Sequence, residues 1–170
     1  MACAVVSGYT LDCKDAVGGL KNIYFANGLV SAATITSSVS GGISLVSGVQ
    51  FYKYELMPQA ADSFTEEITS APANGTIFYT QTLVANFAKM SQAQRAKWLV
   101  IAQARLLTII EKKDGTFWLL GQVNGMEVSA GSHTSGAAMG DFNGVQLTLT
   151  GMEALPAQAL VSSSAFTTAS

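Results

Sequence analysis

Charge is what this sequence has least of. Only 12% of its 170 residues are Asp, Glu, Lys or Arg, about half of the roughly 25% usual for a soluble domain. Nine Lys and Arg stand against eleven Asp and Glu, for a formal net charge of -2. No basic stripe exists to neutralise a phosphate backbone, so tight nucleic-acid binding is disfavoured. Histidine occurs once, at His133, and cysteine twice, at Cys3 and Cys13, with no Cys-x-x-Cys spacing. That scarcity argues against a metal site and a disulfide framework, and both cysteines read as ordinary thiols. No run reaches about 18 consecutive apolar residues, and Met1 to Val6 lacks a basic stretch. Neither a transmembrane span nor a signal peptide is expected, which suggests a soluble chain made in a cytoplasm. The glycine spacings of phosphate-cradling loops and the Gly-x-Ser-x-Gly elbow of hydrolases are missing as well.

What the chain has instead is apolar and small residues, 49% of it in the hydrophobic class. One domain with a substantial core is the default at this length. So few charges cover a monomer poorly, which points to surface that subunits bury against one another.

Most of the chain reads as strands. Short apolar runs such as Leu20 to Phe25 are punctuated by Gly18-Gly19 and Asn27-Gly28. Ile and Val recur among Ser, Thr and Gly from Val30 to Val49 and favour strands over a linker. Gln50 to Met57 alternates, with Tyr52, Tyr54 and Leu56 on one face and Phe51, Lys53 and Glu55 on the other. Pro58 ends it. Residues 58–75 are polar around a candidate strand, Ser63 to Thr69, and close on Asn74-Gly75, a turn dipeptide; a long hairpin arm is the simplest reading. Thr76 to Phe87 alternates over a long strand.

One helix is expected from Gln92 to Gln103. Ser91 and Gln94 form a capping box, and Ala93, Ala96, Leu99, Val100 and Gln103 recur at helical spacing, a face to lay on the sheet. The turn Lys112-Lys113-Asp114-Gly115 then joins two strand-like runs. Gly144 to Gly151 supplies a last strand with Val145, Leu147 and Leu149 on one side. Beyond Pro156 the tail is either loose or paired at an edge. The sum is a mainly β sandwich or barrel with one packed helix.

Chemistry-bearing clusters are scarce. His133 with Asp141 could be drawn as part of a Ser-His-Asp arrangement, but its turn-rich setting reads better as a loop. Glu66 and Glu67 are adjacent on a strand and point to opposite faces, so they cannot share a site. Tyr52, Tyr54, Phe78, Tyr79, Phe117 and Trp118 could stack on bases; with so few cations nearby, core packing is the stronger reading.

Taken in order, the strand at Phe51 to Met57, the polar arm 58–75, the strand Thr76 to Phe87, and the helix after Ser91 resemble tail tube proteins of tailed bacteriophages. The series continues through the Trp118-Leu119-Leu120-Gly121 hairpin, Asn124-Gly125-Met126-Glu127-Val128, the Ser135 to Gly144 loop and Leu147 to Glu153. The resemblance covers about two thirds of the chain and rests on element order and turn motifs. The opening from Tyr9 to Lys21 resembles the starts of some phage structural proteins more weakly.

The resemblance implies one tail-tube-like domain, residues 1–170, with 58–75 as an inter-subunit arm and 157–170 as a C-terminal tail. It implies a non-enzymatic virion protein of the phage tail, made in the host bacterial cytoplasm. Its partners would be copies of itself in stacked, hexameric rings, and other tail proteins of the sheath, completion or baseplate kind. DNA would pass through the lumen unbound, with no cofactor, metal or membrane insertion. The same fold serves contractile injection and secretion systems. The arm carries the expected subunit-contact residues Phe64, Glu66, Glu67 and Ile68. Alternatives are a capsid decoration or other β-sandwich virion protein, a hydrolase using His133, and a secreted carbohydrate-binding module.

Overall fold

In the computed structural model the described residues are 8, 17–28, 35–38, 42–45, 49–58, 61–89, 91–161 and 166–169. Cys3, Cys13, Asp12, Asp15 and most of the opening segment read above lie outside them. In chain order the elements are β1 (Leu20–Asn27), β2 (Ile35–Ser38), β3 (Gly42–Leu45), β4 (Gln50–Glu55), β5 (Ser63–Ala71), β6 (Thr76–Ala88) and α1 (Gln92–Gln103). They continue with β7 (Leu106–Lys112), β8 (Phe117–Leu120), β9 (Glu127–Thr134), β10 (Gly144–Glu153), β11 (Gln158–Leu160) and β12 (Thr167–Ala169). Among the described residues the fold is mainly β with one α-helix, as expected.

Two sheets carry the structure. The larger runs β12-β4-β1-β7-β8-β11-β3-β2 and the smaller β5-β6-β10-β9. Pairing is antiparallel except where β11 meets β3 and β12 meets β4. The smaller sheet turns one face to the larger, and Leu83, Ala85, Leu147 and Leu149 pack there against Ile23, Phe25, Ile110 and Leu120. The opposite face of the larger sheet is buried too: Tyr24, Phe51, Leu107, Ile109 and Leu119 form a second cluster. Phe166 lies over it, with its ring 5.1 Å from Tyr24 and 5.4 Å from Phe51. A sheet covered on both sides has no polar side to show, which is why β7 reads Leu-Leu-Thr-Ile-Ile rather than alternating.

The described residues of the C-terminal stretch pair at more than an edge. β11 sits inside the larger sheet between β8 and β3, and only β12 lies at an edge. Chain reversal at β8 depends on Gly121, whose φ is 65°. A Cβ there would stand 2.6 Å from the Met126 nitrogen, and Met126, fully buried, bridges to Leu106.

The helix begins as expected, with Ser91 and Gln94 capping each other. Its buried face differs from the one read from spacing. Ile101 is buried and Trp98 packs on the core, its ring tilted against those of Phe87 and Tyr54 with centroids 4.4 and 5.6 Å away. Leu99 and Val100 face outward, 61% and 57% exposed. Four consecutive apolar residues, Trp98 to Ile101, wrap the last turns, so periodicity marks no single face there; the aromatic contacts decide it.

Candidate assembly surfaces

The smaller sheet leaves its other face open. Thr65, Thr82 and Thr150 stand in register across β5, β6 and β10, with Thr80 and Thr148 on flanking rows. Threonine suits this position because its branched Cβ fits the pleat while its hydroxyl meets water. The four strands together contain no lysine and no arginine, and they hold four glutamates, Glu66, Glu67, Glu127 and Glu153.

Two of those glutamates are turned inward and stitch the sheet to its surroundings. Glu66 Oε2 accepts from the Ala157 amide at 2.6 Å and from Gln81 Nε2 at 3.2 Å. Gln81, fully buried, accepts the Gly121 amide at 2.9 Å. Glu153 Oε1 accepts the Val123 and Asn124 amides at 3.0 and 2.8 Å. Charge-assisted bonds to backbone amides satisfy donors that the turn leaves without a ladder partner.

The β5–β6 hairpin is longer than the sheet that supports it. β10 accompanies β6 only as far as Tyr79, opposite Glu153, whereas β5 stays paired to the tip at Ala71 and Thr76. Pro72–Asn74 forms a single 3-10 turn, and Gly75 closes it in the left-handed region at φ 65°. The side that faces the core near Phe64 and Leu83 carries Ile68 and Ile77 further out. Nothing among the described residues covers them there: Ile68 is 64% and Ile77 55% exposed. Val123, Met152 and Leu155 are also exposed, around Glu153 at the base of the arm.

The four arm residues singled out from the sequence thus separate. Phe64 packs against the core and Glu66 is held within the chain, so neither is free for a neighbour. Glu67 and Ile68 are exposed. Ile77 was missed, although it stands opposite Ser70, next to the Ala71 and Thr76 pair at the tip; the alternation of β6 continued through the tip was the signal that could have found it.

No known protein family and no curated protein matches the chain. The site is therefore read from its own residues.

His133 lies exposed on β9 opposite Val145. Asp141 does not meet it: its Oδ2 accepts the Ala137 and Ala138 amides at 2.9 and 2.8 Å, and those bonds hold its carboxyl below the usual carboxylate range. Among the described residues no three His, Cys, Asp or Glu side chains converge as a metal site would need.

A dense polar cluster around Glu111 is structural. Glu111 on β7 accepts from Lys21 Nζ at 2.7 Å, Asn22 Nδ2 at 2.6 Å and the Tyr24 hydroxyl at 2.9 Å. A bulge between Leu20 and Asn22 lets Lys21 and Asn22 reach the same carboxylate. Burial pushes the Glu111 carboxyl up, but the three donors outweigh it and leave it lowered. Burial, then the bond to Glu111, pushes the Tyr24 phenol up to about 12. Asp62 is raised, chiefly by burial and despite the Asn86 bonds to its Oδ1; its Oδ2 has no partner among the described residues.

Proposed function

We propose that the chain is a self-assembling structural subunit, the tail tube protein of a bacteriophage or a close counterpart in an injection device. Copies join into rings, the rings stack, and the hollow tube carries DNA. The observation that carries this reading is the open face of the smaller sheet. It is lined by threonines and built from strands that contain no lysine or arginine.

A surface that lets a polyanion slide past must not release counterions to it, because each Lys-phosphate contact adds to binding and slows passage. A threonine face between glutamates meets that requirement. The edge strands β5 and β9 add unpaired backbone groups that neighbouring copies can satisfy by strand addition, and closing such a ring removes the edges. The overhanging arm supplies apolar area for contact, as do Val123, Met152 and Leu155 at its base. The low charge of the whole chain accords with a surface largely covered by other copies.

Electron microscopy of concentrated protein, beside its mass by light scattering, tests the reading. Rings or hollow tubes are the expected result. A compact trimer would replace it with the capsid-decoration alternative, and a monomer at every concentration, with and without other tail components, would end it.

A further inference from the structure

Asparagine is followed by glycine four times, at Asn27-Gly28, Asn74-Gly75, Asn124-Gly125 and Asn143-Gly144. The pair has a chemistry of its own, because glycine has no side chain to keep its backbone nitrogen away from the asparagine side-chain carbonyl carbon. When that nitrogen attacks, the bond from the carbon to the side-chain nitrogen breaks, ammonia leaves and a five-membered succinimide closes. Water then opens one or other carbonyl of the ring and leaves isoaspartate or aspartate. Nothing is oxidised or reduced. By sequence the four pairs are equals, and the fold separates them.

Ring closure needs a backbone free to swing and a side chain free to turn, and three of the pairs are held. The Asn143 carbonyl accepts the Lys89 amide at 3.0 Å, while Gly144 is buried and paired on both sides, with Ala88 and with Thr134. Asn124 is anchored twice: its backbone amide donates to Glu153 Oε1 at 2.8 Å and its Nδ2 to the Met152 carbonyl at 2.7 Å. Asn27 closes β1, opposite Leu106 in the ladder with β7.

Asn74 is under none of these constraints. It is the last residue of the single 3-10 turn at the tip of the arm, and every residue from Pro72 to Thr76 is exposed. The attacking group, the Gly75 amide, makes one long bond of 3.3 Å to the Pro72 carbonyl. Nothing lies within 4 Å of the place a Cβ on Gly75 would take, so a succinimide ring there has open space around it.

We propose that Asn74 is a self-modification site, the position at which this chain first converts to isoaspartate and aspartate as it ages. The nucleophile is the Gly75 nitrogen, the leaving group ammonia and the co-reactant water. Each conversion adds one negative charge at the arm tip, and β5, β6, β9 and β10 hold no lysine or arginine to offset it. The change falls outside the Ala71 and Thr76 pair that ends the ladder, so the hairpin stays paired. No second copy of the chain is needed, and the site stands apart from the self-assembly reading.

The test holds full-length protein at mildly alkaline pH in oxygen-18 water and follows the peptides that contain the four pairs by mass spectrometry. Heavy oxygen should enter the Asn74 peptide roughly tenfold faster than the Asn124 and Asn143 peptides, where reaction waits on local opening, and ahead of the Asn27 peptide. In urea the four rates should converge, since the protection goes with the fold. Asn74→Gln, whose longer side chain would have to close a six-membered ring, should remove the fast step and leave the other three rates as they were. An isoaspartyl methyltransferase supplied with labelled S-adenosylmethionine should label briefly aged wild-type chain and spare Asn74→Gln. Equal rates in the native chain, another pair converting first, or an order that persists unchanged in urea overturns the assignment.

Discussion

Replacing Gly121 by alanine places a methyl group against the backbone of Gly125 and Met126 at a position with φ 65°. Strain and clash together should lower stability by about 2–4 kcal/mol, read as the midpoint of urea unfolding. Glu111 gives a pH-dependent counterpart. Its carboxyl titrates below the usual 4.5 in the folded chain. A lowered folded value means stability that is present above the unfolded pKa and lost as pH falls through the folded one. Unfolding free energy should therefore drop between about pH 5 and about pH 3. In Glu111→Gln this part of the slope disappears, and stability near neutrality is lower by about 1–3 kcal/mol. Tyr24 has the opposite sense: its phenol, raised from 10.0 to about 12, should ionise well above the ordinary tyrosine range when absorbance is followed through alkaline titration, and Tyr24→Phe should remove that step.

At the level of elements, α1 offers a clean contrast. Trp98 packs on Phe87 and Tyr54, whereas Leu99 and Val100 face outward. Trp98→Ala should cost about 2–4 kcal/mol. Leu99→Ala should stay within about 0.5 kcal/mol, as an exposed position does. Thermal unfolding of the two variants decides which face is buried. The arm is the other telling element. Its proximal half is sheet and its distal half overhang, because β10 leaves β6 at Tyr79. The double variant Ile68→Asp and Ile77→Asp removes the overhang's apolar surface without touching the core. It should fold with unchanged circular dichroism and fail to assemble by light scattering.

For the whole molecule, two cores rather than one hold the larger sheet, and the smaller sheet is free on one side. That asymmetry leaves an open face whose four strands carry no lysine or arginine, and Arg105, which reaches it from outside them, is paired there with Glu127 at 2.8 Å. If the open face lines a conduit, a lysine substitution there, such as Thr82→Lys, should leave the fold intact and give assemblies that retain DNA at low salt. Wild-type assemblies should not. Filter binding across ionic strength reads the difference, since phosphate contacts weaken with salt.

The mainly β class, the capped helix at Gln92–Gln103, the Asn74-Gly75 reversal and the inward row Val145, Leu147 and Leu149 were legible in the residues. Each is set by local rules: cap chemistry, turn φ and a period of two. So was the opposite facing of Glu66 and Glu67. Sequence could not say which of Trp98, Leu99, Val100 and Ile101 turns inward, nor that Phe64 joins the core while Ile68 overhangs it. Nor could it place β11 between β8 and β3, or bring Lys21, Asn22 and Tyr24 onto Glu111. Those outcomes depend on partners from other elements: Phe87 and Tyr54 for Trp98, Ile43 for Leu160, and Lys21, 90 residues away, for Glu111. A strand's pattern fixes which side chains share a face, but only the packed neighbours decide whether that face is covered.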